Sequence, residues 1–424
     1  MPKLEVLVVG ASVAGPMTAY WLARAGARVT IIERFPVLRT NGQAIDIRTS
    51  GVTVMRKIPG MEAAVRAKTT QLEGLSYVRE DGRPYGVIRA TGNPDQQSLI
   101  SEYEIFRGDL SQILFDLTKN NENIRYIFNE QVVSIQQREN QNGSVTVEFA
   151  NGTATSSFDL IVACDGAASR IRALGFNCAV RDHVETTGCW ATYFSVKEDF
   201  LQGSKTGQAH SATGGRFVSI EPDPSGINQV TLMKLSARDT PEATLGFRQA
   251  LKQGDDALKQ FVAQQYQDVG WRTADLLKGM METDDFYGSE LVQVHIPALF
   301  SGRVVLVGDA GFAPGFSGMG TSLAMTGAYV LAGEIQHHKG DVGAGLEGYE
   351  KRMRPMINEM SKVPPFVTTL MSPQTRWGIW LRNAVFAVIS WTNVVEYLQR
   401  FSDLFGAAFA SNDECKLPDY EWEK

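Results

Sequence analysis

The feature that most constrains the fold is an apolar run near the start of the chain, followed at once by a glycine-containing turn. Residues 6–9 are Val-Leu-Val-Val, and Gly10, Ser12 and Gly15 follow at the spacing Gly-x-Ser-x-x-Gly. The apolar run predicts a buried strand, Gly10 permits a tight turn, and Gly15 lets a helix over about residues 15–25 pack closely on the strand. The segment therefore predicts the strand–turn–helix that opens a doubly wound α/β sheet.

An acidic residue completes this unit. Residues 29–32 form the next predicted strand, and Glu33 stands at its end. A carboxylate there accepts hydrogen bonds from the ribose of a dinucleotide, while the helix N-terminus binds the pyrophosphate. Glu33 favours an unmodified ribose, as in NAD or FAD, although the adjacent Arg34 weakens that preference. The predicted dinucleotide contacts in this unit are Gly10, Ser12, Ala14, Gly15, Glu33 and Arg34.

Composition excludes several classes of protein. The 424 residues are 43% hydrophobic and 21% charged, with a net charge of −6. The length suffices for two or three domains, and the negative charge without a basic run disfavours a nucleic-acid partner. The five histidines and four cysteines do not have the spacing of metal ligands, so we predict no protein-bound metal. The cysteine pattern also predicts a reducing compartment, and the N-terminal residues do not resemble a signal peptide, so we expect a cytoplasmic protein. Monomer and homodimer both remain open.

Aromatic and apolar residues concentrate near the C-terminus, over residues 377–410. The longest uncharged run there, residues 383–395, is shorter than the roughly 20 apolar residues of a membrane-spanning helix. We predict a pair of amphipathic helices packed on the protein. Contact with a membrane surface is the less favoured alternative.

The order of strand and helix patterns predicts a discontinuous nucleotide-binding domain. The chain enters this domain three times, and β-rich pieces between the visits build a second domain whose sheet forms a wall of the substrate pocket. The predicted class is α/β, with a Rossmann-like domain, a β-sheet substrate domain and C-terminal helices. The predicted divisions are residues 1–73, 101–180 and 291–345 for the nucleotide domain, 74–100 and 181–290 for the substrate domain, and 346–424 for the helical region.

Two further motifs follow buried strands. Asp165-Gly166 is followed by Ser169 and Arg172, and Gly308-Asp309-Ala310 is followed by Pro314 and Gly318-Met319-Gly320. In this order and spacing, the three motifs resemble the group A flavoprotein monooxygenases. That family includes para-hydroxybenzoate hydroxylase, the tetracycline-inactivating monooxygenases and many hydroxylases of polyketide and aromatic natural products. The resemblance covers roughly residues 4–350.

The resemblance implies that the dinucleotide is FAD and assigns roles to individual residues. It places Asp309 on the ribityl chain, Arg107 on pyrophosphate or ribityl oxygens, and the helix start near Pro314 beside the isoalloxazine. Asp165 either contributes to FAD and NAD(P)H handling or only caps a helix. The implied FAD contacts beyond the first motif are Asp46, Arg48, Arg107, Asp165, Gly308, Asp309, Pro314, Gly318, Met319 and Gly320.

The chain departs from the family pattern at three positions. Ser12 replaces a glycine, which the turn tolerates if the side chain points away from the dinucleotide. Phe312 stands where a histidine is frequent, and Met319 where a glutamine is frequent. Both positions lie near the flavin in the family, so the flavin's potential or mobility is expected to differ.

The resemblance implies an enzyme in which NAD(P)H reduces FAD and O₂ then forms a flavin C4a-hydroperoxide. This species would oxygenate a hydrophobic aromatic or polyketide-type molecule in secondary metabolism or xenobiotic modification, by hydroxylation, dearomatisation, epoxidation or Baeyer–Villiger insertion. The substrate and the choice of NADH or NADPH stay open. A reductase or dehydrogenase of the same fold is one alternative. An inactive flavin-fold binding protein is the other, supported only by Phe312 and Met319.

Candidate substrate-side residues are less well defined by the sequence. A base that keeps a phenol deprotonated would assist oxygen transfer. His210 and His295 are the candidates for it, and each is also explained by a structural role. The candidates for the pocket lining, each equally explained as a plain core residue, are Trp190, Tyr193, Phe217 and Met233.

Overall fold

The computed structural model describes residues 3–39, 42–89, 100–137, 143–236, 241–362, 372–392 and 416–422. The strands are β1 (Glu5–Val9), β2 (Arg28–Glu33), β3 (Ala44–Asp46), β4 (Gly74–Val78), β5 (Pro84–Arg89), β6 (Glu104–Phe106), β7 (Ile124–Phe128), β8 (Val132–Gln137), β9 (Val145–Phe149), β10 (Ser156–Phe158), β11 (Leu160–Ala163), β12 (Val184–Val196), β13 (Thr206–Ala212), β14 (Arg216–Pro222), β15 (Asn228–Leu235), β16 (Phe286–Val294), β17 (Phe300–Ser301) and β18 (Val304–Leu306).

The helices are α1 (Ala14–Arg24), α2 (Ser50–Arg56), α3 (Met61–Arg66), α4 (Arg107–Thr118), α5 (Arg170–Phe176), α6 (Leu245–Gln253), α7 (Asp255–Tyr266), α8 (Thr273–Glu282), α9 (Asp309–Phe312), α10 (Gly320–His337), α11 (Val342–Met360) and α12 (Arg376–Thr392). Short 3-10 turns cover Pro241–Thr244 and Gly315–Ser317. Along these described ranges, none of the helices combines the length and the hydrophobicity needed to cross a bilayer.

The first sheet confirms the predicted doubly wound fold. Its strand order is β17-β18-β11-β1-β2-β7, and every pair in it is parallel except β17 with β18. The strand β1 lies between β2 and β11, so the next strand in the chain pairs with one edge of β1 and the later strand β11 pairs with its other edge. Open α/β sheets bind ligands beyond the carboxyl ends of the strands at such a reversal. The fold therefore directs attention to the ends of β1, β11 and β18.

The long helix α10 lies at the centre of this domain. It packs against α1, α2 and α11, and every residue from Ser322 to Ile335 is buried. The C-terminal segment closes over it, since the Tyr420 ring covers Gly333, where a Cβ atom would lie 2.1 Å from Tyr420 Cδ2. Trp422 packs on Trp21 of α1 with ring centroids 4.7 Å apart. These contacts hold the C-terminal half of α10 against α1 and the C-terminal segment.

A seven-stranded sheet forms the second layer, in the order β16-β12-β15-β14-β13-β4-β5. Successive side chains point to opposite faces of a sheet. The back face, which carries Trp190, Phe194, Val218, Ile220 and Leu232, packs against α6, α7 and α8. The front face carries Cys189, Ala191, Tyr193, Phe217, Met233, Leu235 and Leu291.

Two elements of the structure, β16 and α8, were not indicated by the sequence. The strand β16 pairs with β12 from Phe286 to Val294, so it continues across the predicted division at residue 290. The helix α8 likewise has no counterpart among the predicted elements. The helix α12 falls within the predicted C-terminal pair, whereas residues 393–410 of that prediction lie outside the described residues.

Candidate cofactor and substrate site

The turn after β1 has the geometry that its glycines suggest. Gly10 has a φ of +108°, and a Cβ atom there would lie 2.5 Å from the carbonyl oxygen of Cys164. A Cβ atom on Gly15 would lie 1.8 Å from the Gly10 oxygen. Ser12 fills the position of the missing glycine, and its hydroxyl accepts a hydrogen bond from Arg107 Nε at 3.2 Å. The serine side chain thus extends towards the start of α4.

Glu33 is 8% exposed and holds this turn from the end of β2. Its carboxylate accepts hydrogen bonds from the backbone N–H groups of Ala11 at 2.9 Å and Phe35 at 3.2 Å. The guanidinium of Arg34 is exposed and stacks on the Phe35 ring at 4.9 Å. The structure therefore brings Glu33 to the predicted dinucleotide turn and leaves Arg34 at its edge.

Arg107, the first residue of α4, joins the two layers of the protein. Besides Ser12, its Nη1 atom lies 3.5 Å from the hydroxyl of Tyr287, which belongs to β16 of the seven-stranded sheet. Gly42 packs against it with a φ of +143°, and a Cβ atom on Gly42 would lie 3.2 Å from Arg107 Cβ. The guanidinium is thus held at the junction of the dinucleotide turn and the second sheet.

The third motif packs directly on the first. Gly308 has a φ of +67°, and a Cβ atom there would lie 3.1 Å from the Cβ of Ala14 in α1. Asp309 is accessible within the cleft, where desolvation by the surrounding protein raises its pKa and the charge of Arg107 opposes that rise. A Cβ atom on Gly320 would lie 3.6 Å from Pro314 Cδ and 3.7 Å from Asp309 Oδ1, so both side chains lie beside the first residue of α10.

The loop before α10 leaves room for a ligand. Gly318 has a φ of +71°, and no atom lies within 4 Å of the position that its Cβ would occupy. Met319 packs partly on the core and precedes the first residue of α10. The N-terminus of α10 has no side-chain cap among the described residues, so its first N–H groups and its dipole face this space.

Asp165 has a different set of contacts. Its carboxylate accepts hydrogen bonds from the Ser169 hydroxyl at 2.5 Å and from the backbone N–H groups of Arg170 and Ile171 at 2.8 and 3.2 Å. It therefore caps α5. The fully buried Arg172 then donates to the carbonyl oxygen of Ala310 at 2.7 Å and so connects the second motif to the third.

Asp46 and Arg48 lie beside the start of α10. Arg48 Nη2 forms an ion pair with Asp46 at 2.9 Å, and the Arg48 backbone N–H donates to the Ser322 hydroxyl at 2.8 Å. Glu104 lies opposite Asp46 in the β3–β6 ladder. Burial, followed by the nearby carboxylates of Glu221 and Asp46, raises the pKa of Glu104 to about 8.

The front face of the seven-stranded sheet lies opposite these cofactor-side residues. Tyr193 stacks on Tyr287 with ring centroids 6.2 Å apart, and Phe217 and Met233 share the same face. Phe316, from the 3-10 turn between Pro314 and Gly318, packs against this face. Three of the four predicted pocket residues therefore face the third motif.

The fourth pocket residue was predicted wrongly. Trp190 is 0% exposed and stacks on Phe247 of α6 with ring centroids 5.0 Å apart. It belongs to the back face because alternation along β12 turns it away from Ala191 and Tyr193, which point to the front. Its indole is part of the core between sheet and helices.

Neither histidine candidate reaches the front face. His210 pairs with Val218 of the back face, its Nδ1 atom lies 3.2 Å from the Val78 oxygen, and burial lowers its pKa. The side chain of His295 is 53% exposed, with Nε2 3.9 Å from a carboxylate oxygen of Glu185. The structure thus provides no support for either as a base beside the substrate.

Sequence reasoning missed several residues of the site. Tyr287 was missed because β16, whose apolar and polar residues do not alternate, was not recognised as a strand. Phe316 lies in the glycine-rich run of the third motif, and only its contact with the seven-stranded sheet identifies it as a residue of the site. Gln43 lies in the loop before β3, and its buried Oε1 atom has no hydrogen-bond partner within the described ranges. An orphaned buried acceptor is unusual and fits a ligand donor at this place.

These residues fit a bound FAD. Two helix N-termini and Arg107 offer donors for phosphate and ribityl oxygens, Glu33 lies at the end of β2, where the first motif predicts the ribose, and Gly318 opens space beside the helix start. The chain matches the family model described as "FAD binding domain" over residues 3–362. The chain belongs to this family.

Known relatives agree with this assignment. The monooxygenase CTB7 of Cercospora beticola is 31% identical over 428 residues, which cover 99% of this chain and 98% of the relative. The crystal structure of the tetracycline destructase Tet(51) superimposes with a TM-score of 0.76 at 26% identity, covering 99% of this chain and 100% of that one. Klebsiella pneumoniae HpxO, solved with FAD and uric acid, shares the fold with a TM-score of 0.68 at 18% identity over 94% of this chain and 96% of that one.

This member of the FAD-binding family is therefore an FAD-dependent monooxygenase. FAD is its cofactor, and NAD(P)H is the usual electron donor of the family. The resemblance drawn from the three motifs, the fold class and the cofactor are confirmed. The individual contacts of each residue with FAD stay predictions.

Proposed function

We propose that this monooxygenase transfers one oxygen atom from O₂ to a hydrophobic, ring-bearing small molecule in secondary metabolism or xenobiotic modification. The substrate lies between the front face and the residues that hold FAD. The observation that carries the proposal is the approach of Arg107 to Tyr287 at 3.5 Å, with Tyr193 stacked on the same ring. An aromatic wall directly beside the cofactor residues suits a planar substrate.

The role of each group follows from its surroundings. Bound FAD supplies the electrons, taken from NAD(P)H, with which O₂ is activated. The N-terminus of α1 and Arg107 bind its phosphates, and the N-terminus of α10 favours negative charge on the flavin. The apolar front face excludes water and orients the substrate ring. Burial raises the pKa of Glu221 and raises that of Glu104 to about 8, so the Glu104 carboxyl on this side holds a proton near neutral pH.

The named relatives support a ring-bearing substrate. Tet(51) is a tetracycline destructase, and the HpxO structure contains uric acid. Both ligand names describe molecules with fused rings, which agrees with the stacked tyrosines of the front face. We further propose a cytoplasmic location, supported by the free thiols of Cys164, Cys178 and Cys189. The fourth cysteine, Cys415, lies outside the described residues.

The test begins with the visible spectrum of the purified protein. We expect flavin absorbance near ~450 nm, and oxidation of NADPH or NADH that one member of a panel of phenolic and polyketide compounds stimulates. With ¹⁸O₂, the product should carry one labelled oxygen atom, as the flavin-hydroperoxide route requires. Flavin reduction and turnover without O₂, and no label in the product, would instead identify a reductase or dehydrogenase. Purified protein without flavin would contradict the assignment of the three motifs.

A further inference from the structure

The helix α12 exposes large apolar side chains and buries polar ones, which is the reverse of the usual arrangement for a helix packed on a protein. Its outward side chains include Trp377, Trp380 and Val388, which are 68%, 62% and 59% exposed. Its inward side chains include Arg382 and Asn383, which are 6% and 4% exposed. Amphipathic helices normally bury the apolar stripe. Hydrophobic burial therefore does not explain why an arginine faces the protein interior here.

The buried Arg382 guanidinium has no anionic partner among the residues that the structure describes. It stacks on the Tyr77 ring at 4.1 Å, and Nη2 donates to the Ser211 hydroxyl at 3.1 Å and to Asn383 Oδ1 at 2.7 Å. Nη1 is buried and has no hydrogen-bond partner, and none of the ion pairs within the described ranges involves this residue. Burial lowers its pKa, whereas Tyr77 and Tyr85 raise it. A buried charge without a counter-ion is strongly unfavourable unless a ligand completes its environment.

The guanidinium lies at the edge of the front face. Ser211, its hydrogen-bond acceptor, is the direct cross-strand neighbour of Phe217 in the β13–β14 ladder. Tyr77 packs edge-on against Phe217 with ring centroids 6.3 Å apart, and Phe386 of α12 packs on the other side of Tyr77 at 5.1 Å. A ring that contacts Phe217 would therefore place a substituent within reach of Arg382.

We propose that Arg382 is a specificity-determining residue that binds an ionised oxygen of the substrate, a carboxylate or a phenolate. The inference rests on the proposed function, because it places the substrate ring along the front face beside Phe217. Nη1, with its unused N–H groups, is the donor for the substrate oxygen. Since Nη1 has no access to solvent, α12 or the Phe386 side chain shifts when the substrate enters.

The competing explanation is that Arg382 only fastens α12 to Tyr77 and Ser211. Removal of the guanidinium would then reduce stability but would leave the discrimination between acidic and neutral ligands unchanged. The ratio of the two dissociation constants is therefore the readout that separates the explanations.

The experiment compares two probes that differ only in charge. Calorimetric titration of the FAD-loaded protein with 3-hydroxy-2-naphthoate and with 3-hydroxy-2-naphthamide gives the dissociation constant of each. We expect the wild type to bind the acid about 10- to 100-fold more tightly, as for hydrogen bonds to a charged group. R382M should lose this preference, and R382K should retain part of it, because lysine keeps the charge but not the planar fork. R376M, which changes the exposed arginine at the start of the same helix, should keep the wild-type ratio.

Several outcomes would overturn the proposal. These are equal binding of acid and amide by the wild type, binding of neither probe, or a wild-type ratio in R382M. If R382M does not fold, a wild-type ratio of the two dissociation constants in R382K would likewise overturn the proposal.

The proposed function is tested separately from the Arg382 site. Preference for the acid without oxygen transfer to any compound would leave the Arg382 site standing and refute the oxygenation, whereas oxygen transfer without the preference would do the reverse.

Discussion

The two faces of the seven-stranded sheet are built from the same strands and differ in what covers them. On the back face, Trp190 and Val218 are 0% exposed beneath α6, α7 and α8. On the front face, the neighbouring Tyr193 and Phe217 remain partly exposed, and they face Phe316 and the residues that hold FAD. One residue along a strand thus separates a core position from a site position. Aromatic character alone does not tell the two apart.

The difference has a physical origin. Helices that follow β15 in the chain fold back on one face and complete a dry core there. The other face lies opposite the domain that carries the three motifs, with Phe316 packed against it, and we propose that the substrate binds between the two. The following predictions test this division between a structural face and a functional face.

The largest effect is expected from Trp190→Ala. Loss of an indole from a closed core should lower the free energy of unfolding by about 3–5 kcal/mol, because the cavity cannot collapse. Guanidinium unfolding of the FAD-loaded protein measures it. Binding of the substrate should be nearly unchanged in the protein that remains folded. A strong loss of substrate affinity at unchanged stability would place Trp190 in the pocket after all.

Asp309→Ala tests the cofactor side of the same cleft. We expect about 10- to 100-fold weaker FAD binding, the range for loss of hydrogen bonds from a charged group, measured by flavin fluorescence on titration of the apoprotein. A smaller weakening is expected for Arg107→Met. The matched control is Asp341→Ala, which removes the cap of α11 and should retain FAD. Full flavin retention in the Asp309 variant would refute the placement of the third motif.

Phe217→Ala and Val218→Ala compare adjacent residues on opposite faces. The front-face change should weaken binding of the substrate found in the panel about tenfold, with only a small shift of the melting temperature. The back-face change should do the opposite, because Val218 fills the core beneath α7. Similar behaviour of the two variants would mean that the faces do not differ in function.

The smallest effect concerns pH. The pKa of Glu104 is raised from 4.5 to about 8, so between these values the folded protein keeps a proton that the unfolded chain has lost. Stability should therefore fall as the pH rises through this window and level off above it. Partial solvation reduces the linkage, and we expect a loss of about 1 kcal/mol from pH 6 to pH 8. Glu104→Gln should abolish this fall, which thermal melting at each pH measures; an equal fall in the variant would assign it to other groups.

Much of the cofactor side was predictable because its residues are close together in the sequence. The first motif specifies a strand, a turn and a helix within about 20 residues, and Gly15 is required by its contact with Gly10 inside that unit. The resemblance of the third motif to the family then pointed to Asp309 and Gly320 after β18. Asp165 shows the limit of such reasoning, since the sequence could not choose between a cap and a ligand, and the structure shows the cap.

The sequence by itself therefore determined the fold class and the order of the three motifs, because each depends on short-range backbone geometry, whereas the choice of FAD came from the family that the motifs resemble. The tertiary structure decided which face of the second sheet lies opposite the three motifs, and it places Trp190 and His210 on the other face and His295 at an exposed position. It also brought Tyr287 to Arg107 and packed Arg382 on Tyr77 and Ser211. Those pairings join residues far apart in the chain, and only the packing of two separately formed layers fixes them.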